Sequence, residues 1–258
     1  MISIVGLVKK LINKTNYVND IHILRTKFRR HSNIKNIKDS WRESPKEKNA
    51  LEFFNWFDSI NDLGELEIAA ERDFKYAVSS RIPLDKSKTI LEIGFGGGRL
   101  AAQACKSCKH FYGIDIHENF ENTIRYLKKK NLRNFNLYNF KEKSKIPSFN
   151  LVYSFIVIQH FSSIKVLESY LDFISEKITN DGLVILWYGK LKSNLFGPFY
   201  EVPANQFRER ECSLFITKKK MEFLIMERGF NLINHSVDNK TSDSKRQSMQ
   251  SFIIFSKK

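Results

Sequence analysis

Short apolar runs alternate with amphipathic segments along residues 89–258, whereas residues 1–88 contain polar breaks and no long β-branched runs. Alternation of this kind is typical of a parallel sheet with helices on both faces. The pattern therefore predicts one α/β domain over 89–258, preceded by a helical N-terminal extension over 1–88.

The apolar runs predict seven strands, at 89–93, 110–114, 134–139, 150–155, 183–188, 231–236 and 251–255. The helical periodicities predict helices at 98–107, 118–130, 164–178 and 216–228. Only a loop joins the last two strands, and a parallel pair needs a crossover, so these strands should pair antiparallel. The predicted fold class is α/β, with a doubly wound, mostly parallel seven-stranded sheet whose last strand is antiparallel.

The first predicted strand ends in the glycine-rich turn TILEIGFGGGRL, residues 89–100. A dinucleotide fingerprint would place its third glycine at position 99, which is Arg99. The glycines instead stand at 94, 96, 97 and 98, and Glu92 precedes them in the spacing E-x-G-x-G-x-G. A carboxylate beside the turn suits a cation better than a pyrophosphate. S-adenosylmethionine has an ammonium and a sulfonium group and no phosphate, so the turn favours this cationic adenosyl ligand.

The second predicted strand is followed by Asp115. A carboxylate at this place accepts hydrogen bonds from both ribose hydroxyls of a nucleoside. Enzymes that bind NAD also have an acid there. Asp115 therefore indicates a nucleoside ligand without choosing between the two cofactors.

Residues from about 89 to 190 resemble the class I S-adenosylmethionine-dependent methyltransferases. The features that carry this resemblance are the glycine turn, Asp115 and the segment YSFIVIQH at 153–160. The resemblance implies S-adenosylmethionine as cofactor, S-adenosylhomocysteine as product and a Rossmann-like methyltransferase fold. It also implies that Asp115 binds the ribose. The residues that it implies around the methionine moiety are Glu92, Gly94, Gly96 and Gly98. Further cofactor contacts are expected from Phe95, Ile116, Ser154 and Phe155.

Two positions depart from the family pattern. Asn150 stands where the family usually has Asp. The residue that often meets the adenine after the third strand has no clear counterpart, and Glu142 is the best-placed candidate. An exposed surface carboxylate is the alternative interpretation of Glu142.

His160 is the candidate catalytic residue, because it follows the fourth strand at the carboxyl edge where α/β sites form. As a general base it would take a proton from the methyl acceptor. The alternative is a histidine that packs in the turn or contacts the cofactor without titrating.

The segment at about 187–215 is long, aromatic and interrupted by Pro198 and Pro203. Loops of this length are often lids over a site. A lid-like insertion is therefore predicted here, and its aromatic side chains either stack on a planar acceptor or belong to the core.

The net charge of +15 favours nucleic acid, anionic membranes or phosphorylated substrates as partners, or else it is a solvated surface. The fourth strand lacks the Pro-Pro-aromatic motif of enzymes that methylate base amines. The sequence therefore predicts methyl transfer to O or N of a small-molecule or glycan-type acceptor. Alternatives are an RNA methyltransferase and a catalytically silent adenosyl-binding partner subunit.

Apolar positions between residues 2 and 12 recur at helical spacing beside Lys9 and Lys10. Such a helix either docks on its own domain or lies on an anionic membrane. No run is long enough for a transmembrane helix, and the N-terminus lacks the features of a signal peptide.

The three cysteines show no regular framework, which favours a reduced compartment, so a cytoplasmic location is predicted. Cys105 and Cys108 are expected to be inert rather than metal ligands.

Overall fold

The computed structural model describes residues 18–27, 41, 54–55, 62–192, 194–208, 211–236 and 250–257. The predicted helical stripe at 2–12 lies outside these residues. Helices in the described part are α1 (Val18–Lys27), α2 (Leu63–Phe74), α3 (Arg99–Lys106), α4 (Glu121–Lys129), α5 (Ile164–Lys177) and α6 (Lys218–Met226). None of them is long and apolar enough to cross a membrane.

Nine strands are present in the described residues. They are β1 (Thr89–Ile93), β2 (His110–Asp115), β3 (Phe135–Asn139), β4 (Phe149–Ser154), β5 (Ile178–Leu191), β6 (Phe199–Glu201), β7 (Leu214–Thr217), β8 (Phe230–His235) and β9 (Gln250–Lys257). Short 3-10 turns at Phe140–Lys145 and Ile158–His160 follow β3 and β4.

The strands form one sheet of order β3-β2-β1-β4-β5-β7-β6, in which β9 also pairs with β5 and β8 pairs with β9. The pairs among β1 to β5 are parallel, and β9 runs antiparallel to both β5 and β8. The predicted fold class is therefore confirmed, including the antiparallel pairing of the last two strands.

The predicted count of seven strands was wrong, because β6 and β7 lie in the segment predicted as a lid. β5 also runs to Leu191, so this segment begins inside a strand. The helix predicted at 216–228 begins two residues later, where the Thr217 side chain caps it by accepting a hydrogen bond from Lys220 N. β6 and β7 have only three and four residues, which is too short for an alternating pattern to appear in the sequence.

Asn150 joins the beginnings of three strands through its side-chain amide. Its oxygen accepts hydrogen bonds from Thr89 N at 2.9 Å and Thr89 Oγ1 at 3.1 Å. Its nitrogen donates to Thr179 Oγ1 at 3.1 Å. An ionised Asp could not donate the third bond, so the departure from the family pattern has a structural role at the edge of the sheet opposite the glycine turn.

The core lies on both faces of the sheet. One face packs against α5 and α6 through residues such as Val152, Leu186 and Leu171, each at most 1 % exposed. The other face packs against α2 and α3 through Tyr153 and Trp187. These two layers hold the carboxyl ends of the parallel strands at one edge, where sites form in doubly wound sheets.

The described part of the N-terminal extension contacts the domain at several places. α2 continues into a π-helical turn, Lys75–Ser79, whose Ala77 carbonyl accepts a hydrogen bond from Trp187 Nε1 at 3.1 Å. A part-buried ion pair joins Asp73 to Arg99 at the start of α3, at 2.8 Å. α1 instead packs on β6 and β7, where Ile23 is fully buried.

Truncation of Ile23 should measure how firmly α1 docks. Ile23→Ala should lower the free energy of unfolding by about 2–4 kcal/mol, since the lost side chain leaves a cavity. Leu24→Ala is the matched control in the same helix, because Leu24 is 47 % exposed, and it should cost no more than about 0.5 kcal/mol. Urea unfolding checks both, and equal costs for the two variants would contradict the docking of α1.

Candidate functional site

Three glycines give the turn between β1 and α3 its shape. Gly94, Gly96 and Gly98 have φ angles of 77°, 49° and 86°. These values lie in the left-handed region, where a residue with a side chain is strained. Gly98 is also the N-cap of α3, the residue just before the helix, and its N–H donates to the Phe95 carbonyl at 2.8 Å. The turn is thus a compact backbone loop that ends at a helix N-terminus.

Neighbouring side chains fill the space that side chains on these glycines would take. A β-carbon on Gly94 would lie 2.4 Å from Val157 Cγ1, and one on Gly98 would lie 2.7 Å from Thr123 Cγ2. The turn after β4 and helix α4 therefore both touch the glycine turn directly. This close approach explains why the sequence has glycine at these two positions.

Asp115 ties the end of β2 to the glycine turn. Its Oδ2 accepts a hydrogen bond from Gly96 N at 2.9 Å, and its Oδ1 accepts one from Ile116 N at 2.6 Å. A carboxylate has about four lone-pair sites, so each oxygen retains acceptor capacity toward a ribose hydroxyl. Asp115 thus joins the end of β2 to the glycine turn, and its role as a ribose acceptor stays a prediction.

His117 and Thr123 support the same turn, and sequence reasoning missed both. The Thr123 hydroxyl donates to the Gly96 carbonyl at 3.0 Å, and His117 Nε2 lies 3.2 Å from that oxygen. His117 is fully buried, and this burial lowers its pKa. Neither residue type marks such a role in a sequence. Only the fold, which places α4 against the turn, brings them together.

Glu92 is 4 % exposed, on the face of the sheet that carries α2 and α3. Its Oε2 accepts a hydrogen bond from the Tyr153 hydroxyl at 2.8 Å, since the two residues are register partners on β1 and β4. The carboxylate next to the turn is therefore held in place by a buried phenol.

The other sequence-predicted cofactor residues have mixed surroundings. Phe95 packs under the turn against Phe120 and the ring of His117, with ring centroids 5.0 and 5.2 Å away. Phe155 points to the α2 face, where it meets Trp187 edge-on. Glu142 lies at the surface beyond β3. Its Oε2 accepts a hydrogen bond from Asn139 N at the start of the 3-10 turn, and its Oε1 forms an ion pair with Lys145 at 2.7 Å.

The turn after β4 is strained and polar. Ile156 has a φ of 60°, an outlier for a β-branched residue that costs about 1–3 kcal/mol. His160 ends the turn with both ring nitrogens near polar atoms: Nδ1 is 2.8 Å from the Glu211 carbonyl, and Nε2 is 3.3 Å from Gln159 Nε2. Trp41 packs on the same ring at 4.6 Å. Burial lowers the pKa of His160 to about 4, so the ring is neutral at pH 7.

Two buried polar atoms near this turn have no hydrogen-bond partner among the described residues. They are Ser154 Oγ at the end of β4 and Gln159 Oε1 within the turn. Ser154 is fully buried and Gln159 is 7 % exposed. A buried acceptor without a donor costs about 1–3 kcal/mol, so such atoms concentrate where a ligand supplies the missing bond.

The predicted lid segment is fastened to this turn. Ser213 N donates to the Gln159 carbonyl at 2.7 Å, and the Ser213 hydroxyl donates to the Phe161 carbonyl at 2.9 Å. Trp187 and Tyr188, two of the aromatic candidates for acceptor stacking, are at most 2 % exposed and belong to the core. The segment therefore forms a fixed wall of the site along β7 instead of a free loop.

A strand, a glycine turn, a helix and an acid on the next strand define a nucleoside-binding site of the doubly wound α/β class. Residues 91–186 match a family described as methyltransferase domain. This match covers 96 of the 258 residues and supports a class I S-adenosylmethionine-dependent methyltransferase domain there, a family that implies S-adenosylmethionine as the cofactor. No curated protein matches the chain significantly in sequence.

Solved structures of such enzymes share the fold at low identity. A Leishmania major S-adenosylmethionine-dependent methyltransferase has a TM-score of 0.57 at 12 % identity, covering 85 % of this chain and 80 % of its own. An S-adenosylmethionine-dependent methyltransferase from Mesorhizobium loti has a TM-score of 0.56 at 11 % identity, and the match covers 74 % of this chain and 100 % of that one. The mitomycin 7-O-methyltransferase MmcR has a TM-score of 0.53 at 12 % identity, and the match covers 74 % of this chain and 54 % of that one. These likenesses concern the fold.

Substitution of Gly94 should test the contact between the two turns. Gly94→Ala should be destabilised by the left-handed φ, about 1–2 kcal/mol, and by the overlap with Val157. Gly229→Ala is the control, because Gly229 has a similar φ of 74° and nothing within 4 Å of its β-position. Urea unfolding should show Gly94→Ala to be at least about 1 kcal/mol less stable than the control. Equal stabilities would mean that Val157 does not pack on the turn.

Proposed function

We propose that the chain transfers the methyl group of S-adenosylmethionine to O or N of a small-molecule or glycan-type acceptor. The observation that carries the acceptor class is the enclosure of the turn after β4. Trp41 packs on His160, and Ser213 bonds to Gln159, so walls from the N-terminal extension and from β7 surround this turn. A site walled in this way suits a compact acceptor better than a long polymer.

The cofactor half of the site follows from the contacts of the glycine turn. The methionine moiety would lie along Gly94, Gly96 and Gly98, with Phe95 below and the Glu92 carboxylate as a fixed negative charge for the ammonium. Asp115 would accept hydrogen bonds from the ribose hydroxyls while its bond to Gly96 N keeps the turn in place. Ile116, Ser154 and Phe155 would contribute contacts from the ends of β2 and β4.

S-adenosylmethionine supplies an electrophilic methyl group on a sulfonium, which a nucleophile displaces in line. For this reaction a protein contributes mainly proximity and orientation, and a base where the acceptor must lose a proton. The geometry favours an orienting role for His160, because its pKa near 4 makes it a weak base and Gln159 occupies its Nε2. Glu142 has a cap and a surface ion pair, which favours the exposed-carboxylate interpretation over adenine contact.

We also propose the division of the chain into a helical extension over 1–88 and a methyltransferase domain over 89–258. Support comes from Trp41, α1 and α2, each of which lies outside the sheet and contacts it or its turns. The part-buried Asp73–Arg99 pair and the Trp187–Ala77 bond make the end of the extension a support of the cofactor half.

Cofactor choice is tested by thermal stability. S-adenosylmethionine or S-adenosylhomocysteine at a hundredfold excess over its dissociation constant should stabilise the protein by about 2.7 kcal/mol, whereas NAD should have little effect.

Asp115→Ala should weaken cofactor binding by about 2–3 kcal/mol, because it leaves ribose hydroxyls poorly paired. Asp85→Ala is the surface control and should bind normally. A larger shift with NAD than with either adenosyl compound would overturn the assignment.

Acceptor class is tested by following tritium from the labelled methyl group. We expect transfer into the low-molecular-mass fraction of a cell extract and none into tRNA or rRNA under the same conditions. Transfer into RNA instead would support the RNA methyltransferase, which the net charge of +15 favours. Tight cofactor binding with transfer to neither would support the silent partner subunit.

A further inference from the structure

The Gln159 side chain lies in a confined position beside the glycine turn. Its Cβ is 3.2 Å from the place that a β-carbon on Gly189 of β5 would take, and its carbonyl is bound by Ser213 N at 2.7 Å. Two residues earlier in the same turn, Val157 lies against Gly94. Gln159 is therefore confined by β5 and by the segment before β7, two residues from the side chain that packs on the glycine turn.

A chain of hydrogen bonds determines which way the Gln159 amide faces. The Glu211 carbonyl can only accept, so His160 Nδ1, at 2.8 Å, must donate to it. In the neutral ring His160 Nε2 is then the acceptor, and the group that donates to it is the Gln159 amide nitrogen at 3.3 Å. The Gln159 oxygen is left as a buried acceptor with no donor among the described residues.

We infer that Gln159 Oε1 accepts a hydrogen bond from the methyl acceptor, that the reacting group of this acceptor is a neutral amine, and that His160 is the positioning residue that orients the Gln159 amide. The inference rests on the proposed function and narrows its substrate class. Gln159 is the substrate-contacting residue, whereas His160 acts through it.

The choice of an amine follows from the chemistry of the turn. An amide oxygen orients an N–H or O–H but cannot take its proton at neutral pH. Burial lowers the pKa of His160, and its Nε2 is already engaged by Gln159, so the ring is not a base for an alcohol. A neutral amine needs no prior deprotonation, because its own lone pair is the nucleophile.

The atoms balance without a protein base. The nitrogen lone pair forms the new N–CH3 bond while the S–CH3 bond breaks, and its electron pair returns to sulfur as a thioether. The product is an ammonium ion, and its extra proton leaves to water. The hydrogen bond to Gln159 Oε1 aims the lone pair at the methyl group throughout.

The substrate class is tested by acetylating the amines of the low-molecular-mass extract before the labelling reaction. Transfer by the wild-type protein should fall at least tenfold relative to a mock-treated extract. Full transfer into the acetylated extract would overturn the amine assignment and leave the proposed methyltransferase intact. No transfer into either extract would instead overturn the proposed function, and the inference with it.

The role of Gln159 is tested by Gln159→Met, which keeps the side-chain volume and removes the amide. Methyl transfer should fall at least tenfold while the dissociation constant for S-adenosylhomocysteine changes less than twofold. Gln103→Met on α3 is the matched control and should behave like wild type. Retention of more than half of the transfer in Gln159→Met would overturn the proposal.

The positioning role of His160 is tested without an acceptor, by the ring nitrogen shifts of His160 in NMR. The wild-type ring should be neutral with its proton on Nδ1 from pH 6 to 8. In Gln159→Glu a carboxylate replaces the amide donor at Nε2, so the pKa of His160 should rise by at least one unit. An unchanged titration of His160 in this variant would overturn the hydrogen-bond chain.

Discussion

The glycine turn after β1 has no room for side chains at Gly94 and Gly98, and the candidate site depends on that constraint. Val157 and Thr123 occupy the space beside Gly94 and Gly98, while the N–H and carbonyl of Gly96 are bound by Asp115 and Thr123. The turn is therefore held by β2, by α4 and by the segment after β4 at once. A backbone fixed in this way offers its remaining surface to a ligand without reorganisation on binding.

The turn after β4 packs against the same glycine turn, and it leads to the proposed acceptor side of the site, which contains Gln159 and His160. Val157 lies against Gly94, and Ile156, the residue before it, has a left-handed conformation, a strain of the kind that concentrates at functional sites. Beyond it, Gln159 and His160 bond to the segment that leads into β7. Cofactor turn, β4 turn and inserted strands thus form one continuous set of contacts at the carboxyl edge of the sheet.

The sequence predicted the α/β fold, the glycine turn and the antiparallel end of the sheet, because each has a local signature. Glu92 and Asp115 could be singled out by their spacing from the glycines and the strand ends. The last two strands could be predicted to pair antiparallel because only a loop, without a helix, joins them. β6 and β7 were missed because strands this short are specified by their partners, β5 and each other, and not by their own pattern. His117 and Thr123 were missed because a polar contact across the fold leaves no spacing to recognise. The same applies to Gln159: the residue next to the conspicuous His160 owes its unpaired oxygen to Glu211, 51 positions beyond that histidine.

The two halves of the proposed site are specified differently. The proposed cofactor half is mostly backbone: glycines, amide groups and the two carboxylates of Glu92 and Asp115. The proposed acceptor half consists of side chains whose orientation is set by the segment between β6 and β7. Here the β7 segment supplies the carbonyl that fixes the His160 tautomer, and the tautomer fixes the Gln159 amide. A change in this segment alone, such as one that moves Glu211, would turn this amide round and present an N–H donor in place of an acceptor, with the cofactor turn untouched. On the proposed function, such a change would alter which acceptor group is bound and leave the contacts of the glycine turn as they are.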